Sequence, residues 1–416
     1  MTSLNGVAEF FRKQSKNYKI LVADGAIRSL FGVGTGGGEY WSIFMRRIGA
    51  SPVEIGLISS ASSAVSTVLA LPSGWLTDRT KNMKKPYILG RLTYLPTDVL
   101  RFLATSWPFC LMISAWGAVS DRIMGPATEI ISIKSLSNTD RVSGLSLNST
   151  IVSLAGLFGP MLTALLVTYF GGLTTADSIR PLFLIQFIFG VALLTFETTQ
   201  LQDVILPRTE RETGIITHYL SIFKESPVIT LHLLRDVIYT FLNQMKQPFN
   251  SILLVDVKGA DQFILGWRGT ATLAVTIIFS LPGALLANKF GRTRITYYTR
   301  IFHWMGLLVV IFASPAHPQL LIAESIFESL FLAMFNGWTA FRQESIPLAV
   351  RGRWMGANML LTGLLGTVAP IIGGVLWSYN PLYIWWIDLF ADILVVLPIM
   401  ILTGKKAQEE AMKQKK

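Results

Sequence analysis

Leu71-Pro72-Ser73-Gly74-Trp75-Leu76-Thr77-Asp78-Arg79 returns later in the chain as Leu281-Pro282-Gly283-Ala284-Leu285-Leu286-Ala287-Asn288-Lys289, an offset of 210 residues. The same offset of 210 carries Gly56 to Gly266, Arg141 to Arg351, Gly156 to Gly366 and Pro160 to Pro370. Ser135 and Ser345 obey it as well. One gapless offset over landmarks this widely spread marks two copies of a single structural unit. In each copy the quoted stretch ends a long apolar run and opens a short basic loop.

Composition says where such runs must sit. The chain has 416 residues, of which 51% are hydrophobic and only 15% charged, with a mean hydropathy of +0.49. A soluble domain is about a quarter charged. Crossing roughly 30 Å of hydrocarbon takes about 20 apolar residues in a helix. Spans are predicted at about 19–46, 52–76, 87–105, 107–133, 145–170, 181–201, 228–255, 263–288, 296–314, 319–341, 354–377 and 382–403. The expected fold is an all-α membrane protein with twelve transmembrane helices in two pseudo-symmetric six-helix bundles. Six helices per copy return the chain to its starting side, so the repeats run parallel. The expected organisation is an interfacial segment at 1–18, a bundle at 19–201, a central loop at 202–227, a second bundle at 228–403 and a basic tail at 404–416.

The net charge of +11 follows this topology and does not point to nucleic acid. About 24 of the Lys and Arg residues fall in alternate connections, from Arg12–Lys19 and Arg79–Lys85 to Lys405–Lys416. Arg46, Arg47, Arg180, Lys258 and Arg268 are assigned to the opposite loops. Positive charge stays inside, so both termini are expected in the cytoplasm and the protein in the plasma membrane as a multi-pass monomer. Cys110 is the only cysteine, and His218, His232, His303 and His317 are dispersed, so no metal site and no cofactor are expected. The charged N-terminus is unlike a cleaved signal peptide. Gly32-Val33-Gly34-Thr35-Gly36-Gly37 matches a dinucleotide-binding glycine pattern in letters only, since no strand precedes it.

Gly74-Trp75-Leu76-Thr77-Asp78-Arg79, followed by Lys84-Lys85, resembles the cytoplasmic loop signature of the major facilitator superfamily of secondary transporters. Lys81 and Asn82 depart from that pattern, and Asn288 replaces the aspartate in the second copy while Lys289, Gly291 and Arg292 keep the rest. The resemblance implies a gate that latches the cytoplasmic side. Asp78 then accepts hydrogen bonds in one state and loses them in the other; the plain alternative is a helix-capping turn. Glu344 and Arg351 resemble the motif that follows the family's tenth helix. Gly156, Gly159 and Pro160, mirrored by Gly366 and Pro370, form a helix-bend motif similar to the family's antiporter signature, although Thr163-Ala164 stands where paired glycines are expected.

Charge at mid-bilayer costs about 2.5–3.5 kcal/mol per group, so each buried charge needs a partner, water or substrate. Asp24, Arg28, Gly32, Thr35 and Glu39 share one helix face, as do Asp236, Thr240, Asn243, Gln247 and Asn250. Asp121, Arg122 and Glu129 lie in the fourth span, Arg235 and Lys246 in the seventh. Glu324 and Glu328 are one turn apart in the tenth, with Phe331 and Phe335 continuing their face. The family places helices one, four, seven and ten around its cavity.

Glu324, Glu328, Asp24 and Asp121 are therefore the candidates for proton coupling. Arg28, Glu39, Arg122, Glu129, Arg235, Asp236, Asn243, Lys246, Gln247, Asn250, Phe331 and Phe335 are candidates for the substrate cavity. Two readings stay open for the glutamates: a dyad that disfavours double ionisation and so carries a proton, or permanent pairing with Arg122, Arg235 or Lys246. Asp24 and Arg28 also suit a local ion pair. Asp98 with Arg101 suits structural pairing, whereas Asp388 and Asp392 have no partner nameable from sequence.

The expected function is alternating-access transport of a small molecule, powered by protons or another ion, with efflux of an amphiphilic compound as the first reading. Uptake or facilitated passage of a sugar or organic anion is the alternative. A membrane-embedded enzyme or a receptor without transport forms the other class, and no catalytic constellation supports the enzyme. The partners expected are a small-molecule substrate, a coupling ion and the lipid bilayer.

Overall fold

The computed structural model describes residues 4–31, 36–206 and 226–414. Within them the chain is helical, and the only strand-like feature is an isolated bridge between Asn82 and Ile205. The glycine pattern at Gly32–Thr35 and most of the central loop lie outside the described residues.

Two helices meet the first expected span: α2 at Lys16–Leu30 and α3 at Gly36–Arg47, after a short α1 at Leu4–Lys13. On α1, exposed Lys13 holds the Glu9 carboxyl below its usual range through a 2.7 Å bond. α4 (Pro52–Arg79), α5 (Lys84–Leu103) and α6 (Trp107–Lys134) follow. The fifth span is broken into α7 (Arg141–Gly156) and α8 (Gly159–Tyr169) at the Gly-Pro motif. α9 covers Ala176–Gln200 and α10 covers Pro227–Lys246, the latter continued by a 3-10 turn and a π turn to Val257. Next come α11 (Gln262–Phe290), α12 (Arg292–Phe312), α13 (Leu320–Ser345) and α14 (Leu348–Tyr379). α15 (Tyr383–Ala391) passes through a π turn at Asp392–Val396 into α16 (Leu397–Gln414).

Local chemistry sets these boundaries. Ser15, Thr175 and Asp261 accept from the backbone N–H three residues on, and Ser226 caps α10 with Pro227 at its first position. Gly291 has φ of +96°, which lets the chain turn between α11 and α12 within one residue.

Eight helices are long and apolar enough to cross a membrane among the described residues: Pro52–Ala70, Ser143–Tyr169, Ala176–Gln200, Gln262–Phe290, Arg292–Phe312, Leu320–Ser345, Arg353–Tyr379 and Tyr383–Glu410. The other four expected spans fall on α2 with α3, α5, α6 and α10. The same four carry Asp24, Arg91, Asp98, Arg101, Asp121, Arg122, Glu129, Arg235, Asp236 and Lys246, charges that lower hydropathy wherever they occur. Large apolar side chains stand exposed along the spans, with Phe312 at 71% and Leu281 at 67%, as lipid-facing surface requires.

The described contacts form two compact units. Unit 1 comprises Met1–Ile48 with Val68–Arg211, and unit 2 comprises Gly49–Thr67 with Glu212–Lys416. In unit 1, Ile20, Met83, Tyr87, Ala127, Ile131 and Leu201 make one core, and Gly90 lets α5 approach the α6 backbone at Met124. In unit 2, Ile229, Leu233, Ile346, Val350, Trp354 and Ala357 join α10 to α14. There the first half of α4 packs on α14: a Cβ on Gly374 would lie 2.6 Å from the Pro52 carbonyl oxygen, and one on Gly56 would strike the Pro370 carbonyl.

Candidate functional site

Unit 1 gathers its buried charges around α2, α5 and α9. Asp24 receives Arg28 Nε at 2.7 Å and Arg91 Nη2 at 3.0 Å. Glu197 on α9, fully buried, lies 3.5 Å from Arg91 and 3.8 Å from Arg28, and accepts from the Tyr87 hydroxyl. Two carboxylates thus meet two guanidinium groups, and the set is neutral without a proton. The Asp24–Arg28 ion pair is present, but Arg91, Glu197 and Tyr87 did not figure in the sequence analysis. A charge inside each of the third and sixth spans was the signal available for the first two.

Asp121 and Glu129 are exposed on α6 and Arg122 is partly buried between them in sequence; among the described residues none of the three has an ion-pair partner within 4 Å. Glu39 stands in the first turn of α3. Asp98 pairs with Arg101 at 3.3 Å, as the sequence suggested, and Arg101 also lies over the Trp41 ring.

Unit 2 holds two further sets. In the first, Asp236 accepts from Arg235 Nη1 at 3.0 Å and from Arg342 Nη1 at 2.8 Å. Arg235 is 2% exposed and lies over Tyr239, Phe335 and Trp338, 4.3, 4.8 and 5.9 Å from the ring centres. Its Nε and Nη2 have no hydrogen-bond partner.

The second set connects α10, α12, α13 and α15. Lys246 Nζ donates to Asp388 Oδ2 at 2.6 Å. His303 Nδ1 lies 2.7 Å from Glu328 Oε2, and its Nε2 lies 4.0 Å from Asp388 Oδ2. Arg300 pairs with Asp392, whose other oxygen accepts from Trp304 Nε1 at 2.8 Å. Gly306, one turn beyond His303, faces α13 at ordinary contact distance: a Cβ there would lie 3.5 Å from the Glu324 carbonyl oxygen. Phe331 is fully buried against the His303 ring at 5.1 Å and Phe335 continues that face.

Glu324 and Glu328 therefore do not act on each other alone. Arg268 pairs with Glu324 and His303 with Glu328, and neither partner is among Arg122, Arg235 and Lys246. Arg268, assigned from sequence to a loop, sits in the second turn of α11 and is 7% exposed. Asp388 and Asp392 acquire the partners that sequence could not name. Arg300, His303 and Trp304 share a helix face inside an apolar span, and their three- and four-residue spacing is the sequence signal for that face.

On α10 and the turns that continue it, Asn243 and Gln247 are exposed and Asn250 is partly buried. These amides carry no charge and present both donors and acceptors.

The gate residues are placed as follows. Gly74 lies inside α4 with nothing within 4 Å of a notional Cβ, and Arg79 lies over Trp75 at 4.1 Å. The Asp78 side chain lies outside the described residues. Lys289 lies over Phe290 at 5.3 Å, and Arg292 pairs with Glu344. Arg351 donates to the carbonyls of Gln343 at 2.5 Å and Ile346 at 3.3 Å, so Glu344 and Arg351 serve different partners. The loop after α4 is tied down by Met83 N–H to the Val204 carbonyl and Leu206 N–H to that of Lys81, both 2.9 Å. At the bend motif, Gly156 ends α7 and Gly159 starts α8, where a Cβ would strike the Ser29 carbonyl. Gly366 and Pro370 lie within the uninterrupted α14.

Comparison with known proteins places this geometry. The profile of the Major Facilitator Superfamily matches residues 29–245. An uncharacterised MFS-type transporter of Methanocaldococcus jannaschii is 21% identical over 340 residues, 80% of this chain and 82% of that protein. Among solved structures, the nucleoside transporter NupG superposes with a TM-score of 0.73 at 13% identity, covering 94% of this chain and 99% of that one. A D-xylose-proton symporter gives a TM-score of 0.68 at 13% identity, covering 92% and 96%. At these identities the structural likeness establishes the fold: an all-α, multi-pass membrane architecture.

Proposed function

The chain belongs to the major facilitator superfamily and is a secondary transporter that moves a small molecule by alternating access; on that premise we propose that it carries a neutral, hydroxylated solute of the sugar or nucleoside class inward. The observation that carries this reading is the division of labour among polar groups. Asp24, Glu197, Asp236, Glu324, Glu328 and Asp388 are each paired with basic side chains of their own unit, while Asn243 on α10 and Gln247 in the 3-10 turn that continues it remain exposed. Paired charges are poor anchors for an amphiphilic cation. Exposed amides inside a membrane-spanning helix are disfavoured against lipid and suited to hydroxyl groups.

The named solutes of the structural relatives, a nucleoside and D-xylose, support uptake over drug efflux. The reading includes twelve spans in two six-helix bundles, both termini in the cytoplasm, a plasma-membrane location, a monomer and a proton as the coupling ion. An organic anion is the second reading, favoured by the two unpartnered nitrogens of buried Arg235.

Reconstituted into proteoliposomes, the protein should show saturable uptake of radiolabelled D-xylose, D-glucose or uridine, inhibited by the unlabelled solute. Expulsion of ethidium with no flux of the three solutes overturns the proposal.

A further inference from the structure

Two of the buried charge sets differ by one proton: the set on α2, α5 and α9 in unit 1 and the set that joins α10, α12, α13 and α15 in unit 2. In unit 1, Asp24 and Glu197 are balanced by Arg28 and Arg91, each no more than 4 Å from a carboxylate. In unit 2, three carboxylates, Glu328, Asp388 and Asp392, meet two permanent cations, Lys246 and Arg300. The sixth member is His303, which is neutral or charged according to whether it holds a proton. With a neutral imidazole the set keeps one uncompensated negative charge in a low-dielectric interior. A protonated imidazole closes the balance.

Geometry assigns the proton a place. His303 lies between two carboxylates, 2.7 Å from Glu328 and 4.0 Å from Asp388. Its side chain is 3% exposed, whereas that of Glu328 is 29% exposed, so the carboxylate is the more accessible member of the pair. Every element packed around the ring contributes a charged or titratable group: Lys246 and Tyr239 from α10, Arg300 from α12, Glu328 from α13, Asp388 from α15 and Asp392 from the π turn beyond it. Arg300 is committed to Asp392, and Lys246 to Asp388.

We propose that His303 and Glu328 together hold the single coupling proton of this transporter, with Lys246 and Asp388 as the pair that responds when it leaves. This rests on the transport reading above and names its ion site. A proton arrives from water at the Glu328 carboxylate and is held across the Glu328–His303 contact, forming one N–H or O–H bond. It departs by the same atoms when Glu328 faces the other side. On departure Glu328 and Asp388 compete for Lys246, which links proton loss to the contact between α10 and α15. The acids of the first and fourth spans are then not the coupling site: Asp24 is already neutralised, and Asp121 is exposed on α6 and, among the described residues, shares no histidine or second carboxylate.

The test needs no substrate. The full-length protein labelled with 15N-histidine in lipid nanodiscs is followed by NMR across pH, with exposed His317 as internal reference. The His303 signal is assigned by its loss in His303→Gln, or, should that variant not fold, by difference from replacements of His218, His232 and His317. The expected result is an imidazolium at His303 that persists after His317 has become neutral, and a fall of about one pH unit or more in its midpoint in Glu328→Gln and in Asp388→Asn. A His303 that is neutral at pH 6, or a midpoint unmoved by both substitutions, overturns the proposal.

A second arm measures D-xylose and uridine transport in proteoliposomes. His303→Gln should abolish accumulation driven by a pH gradient while counterflow continues; loss of gradient-driven accumulation in Asp121→Asn but not in His303→Gln overturns the assignment. If neither solute moves but His303 titrates as described, only the substrate reading fails.

Discussion

Arg300 on α12 and Asp392 in the π turn beyond α15 form an ion pair whose side chains are 0% and 1% exposed, the most deeply buried pair among the described residues. Arg300 Nε also lies 3.2 Å from the Met400 sulfur, and Trp304 supplies the remaining bond to the carboxylate. Removing one partner strands the other. Arg300→Met or Asp392→Leu alone should therefore lower stability by about 3–5 kcal/mol, while the double substitution should recover most of the loss. Cys110 is the only thiol and is fully buried, so its reaction with a fluorogenic thiol dye during heating reports unfolding directly. A double variant no better than either single one would contradict the pairing.

Gly159 and Gly125 should respond in opposite ways to the same substitution. Gly159→Ala drives a methyl group into the Ser29 carbonyl and to 3.0 Å from that of Leu30, and is expected to destabilise by about 1–3 kcal/mol. Gly125 is inside α6 with nothing within 4 Å of the new methyl, so Gly125→Ala should be neutral or stabilise by about 0.5–1 kcal/mol. Thermal unfolding of the two variants decides it.

For the unit 1 set, Glu197→Gln leaves Arg28 and Arg91 facing only Asp24 and should cost on the order of 3 kcal/mol. Tyr87→Phe removes one hydrogen bond and should cost about 1 kcal/mol. Neither change is expected to alter the number of protons moved per solute, measured as alkalinisation outside proteoliposomes against radiolabel uptake. A changed ratio would mean that this set titrates during transport.

Asn243→Ala and Gln247→Ala should each raise the KM for D-xylose or uridine roughly tenfold, the equivalent of one good hydrogen bond, with the unfolding temperature unchanged. An unaltered KM in both would remove these amides from the substrate path.

Topology offers a separate check. In a Cys110→Ser background, a thiol introduced by Lys405→Cys should react with a membrane-impermeant maleimide only after the cytoplasmic face is opened. Labelling of intact cells would reverse the assigned orientation.

What the sequence alone determined is the class of protein, an all-α multi-pass membrane transporter. Apolar run length, the 210-residue offset of Pro72 and Pro282, and the lopsided placement of Lys and Arg are one-dimensional signals. Hydrocarbon thickness and loop electrostatics read them one segment at a time. Helix-face periodicity likewise located Asp24 with Arg28, because residues four apart are neighbours in any helix.

Tertiary structure alone decided which charge meets which. Glu328 meets His303 from 25 positions away and Lys246 meets Asp388 across 142, distances over which spacing carries no information. Sequence left the carboxylates of the tenth span open between a dyad and pairing with Arg122, Arg235 or Lys246, because spacing shows only their own helix. The packing of α11 and α12 against α13 gave Glu324 an arginine and Glu328 a histidine, and left that histidine between two acids as the group whose charge is still free to change.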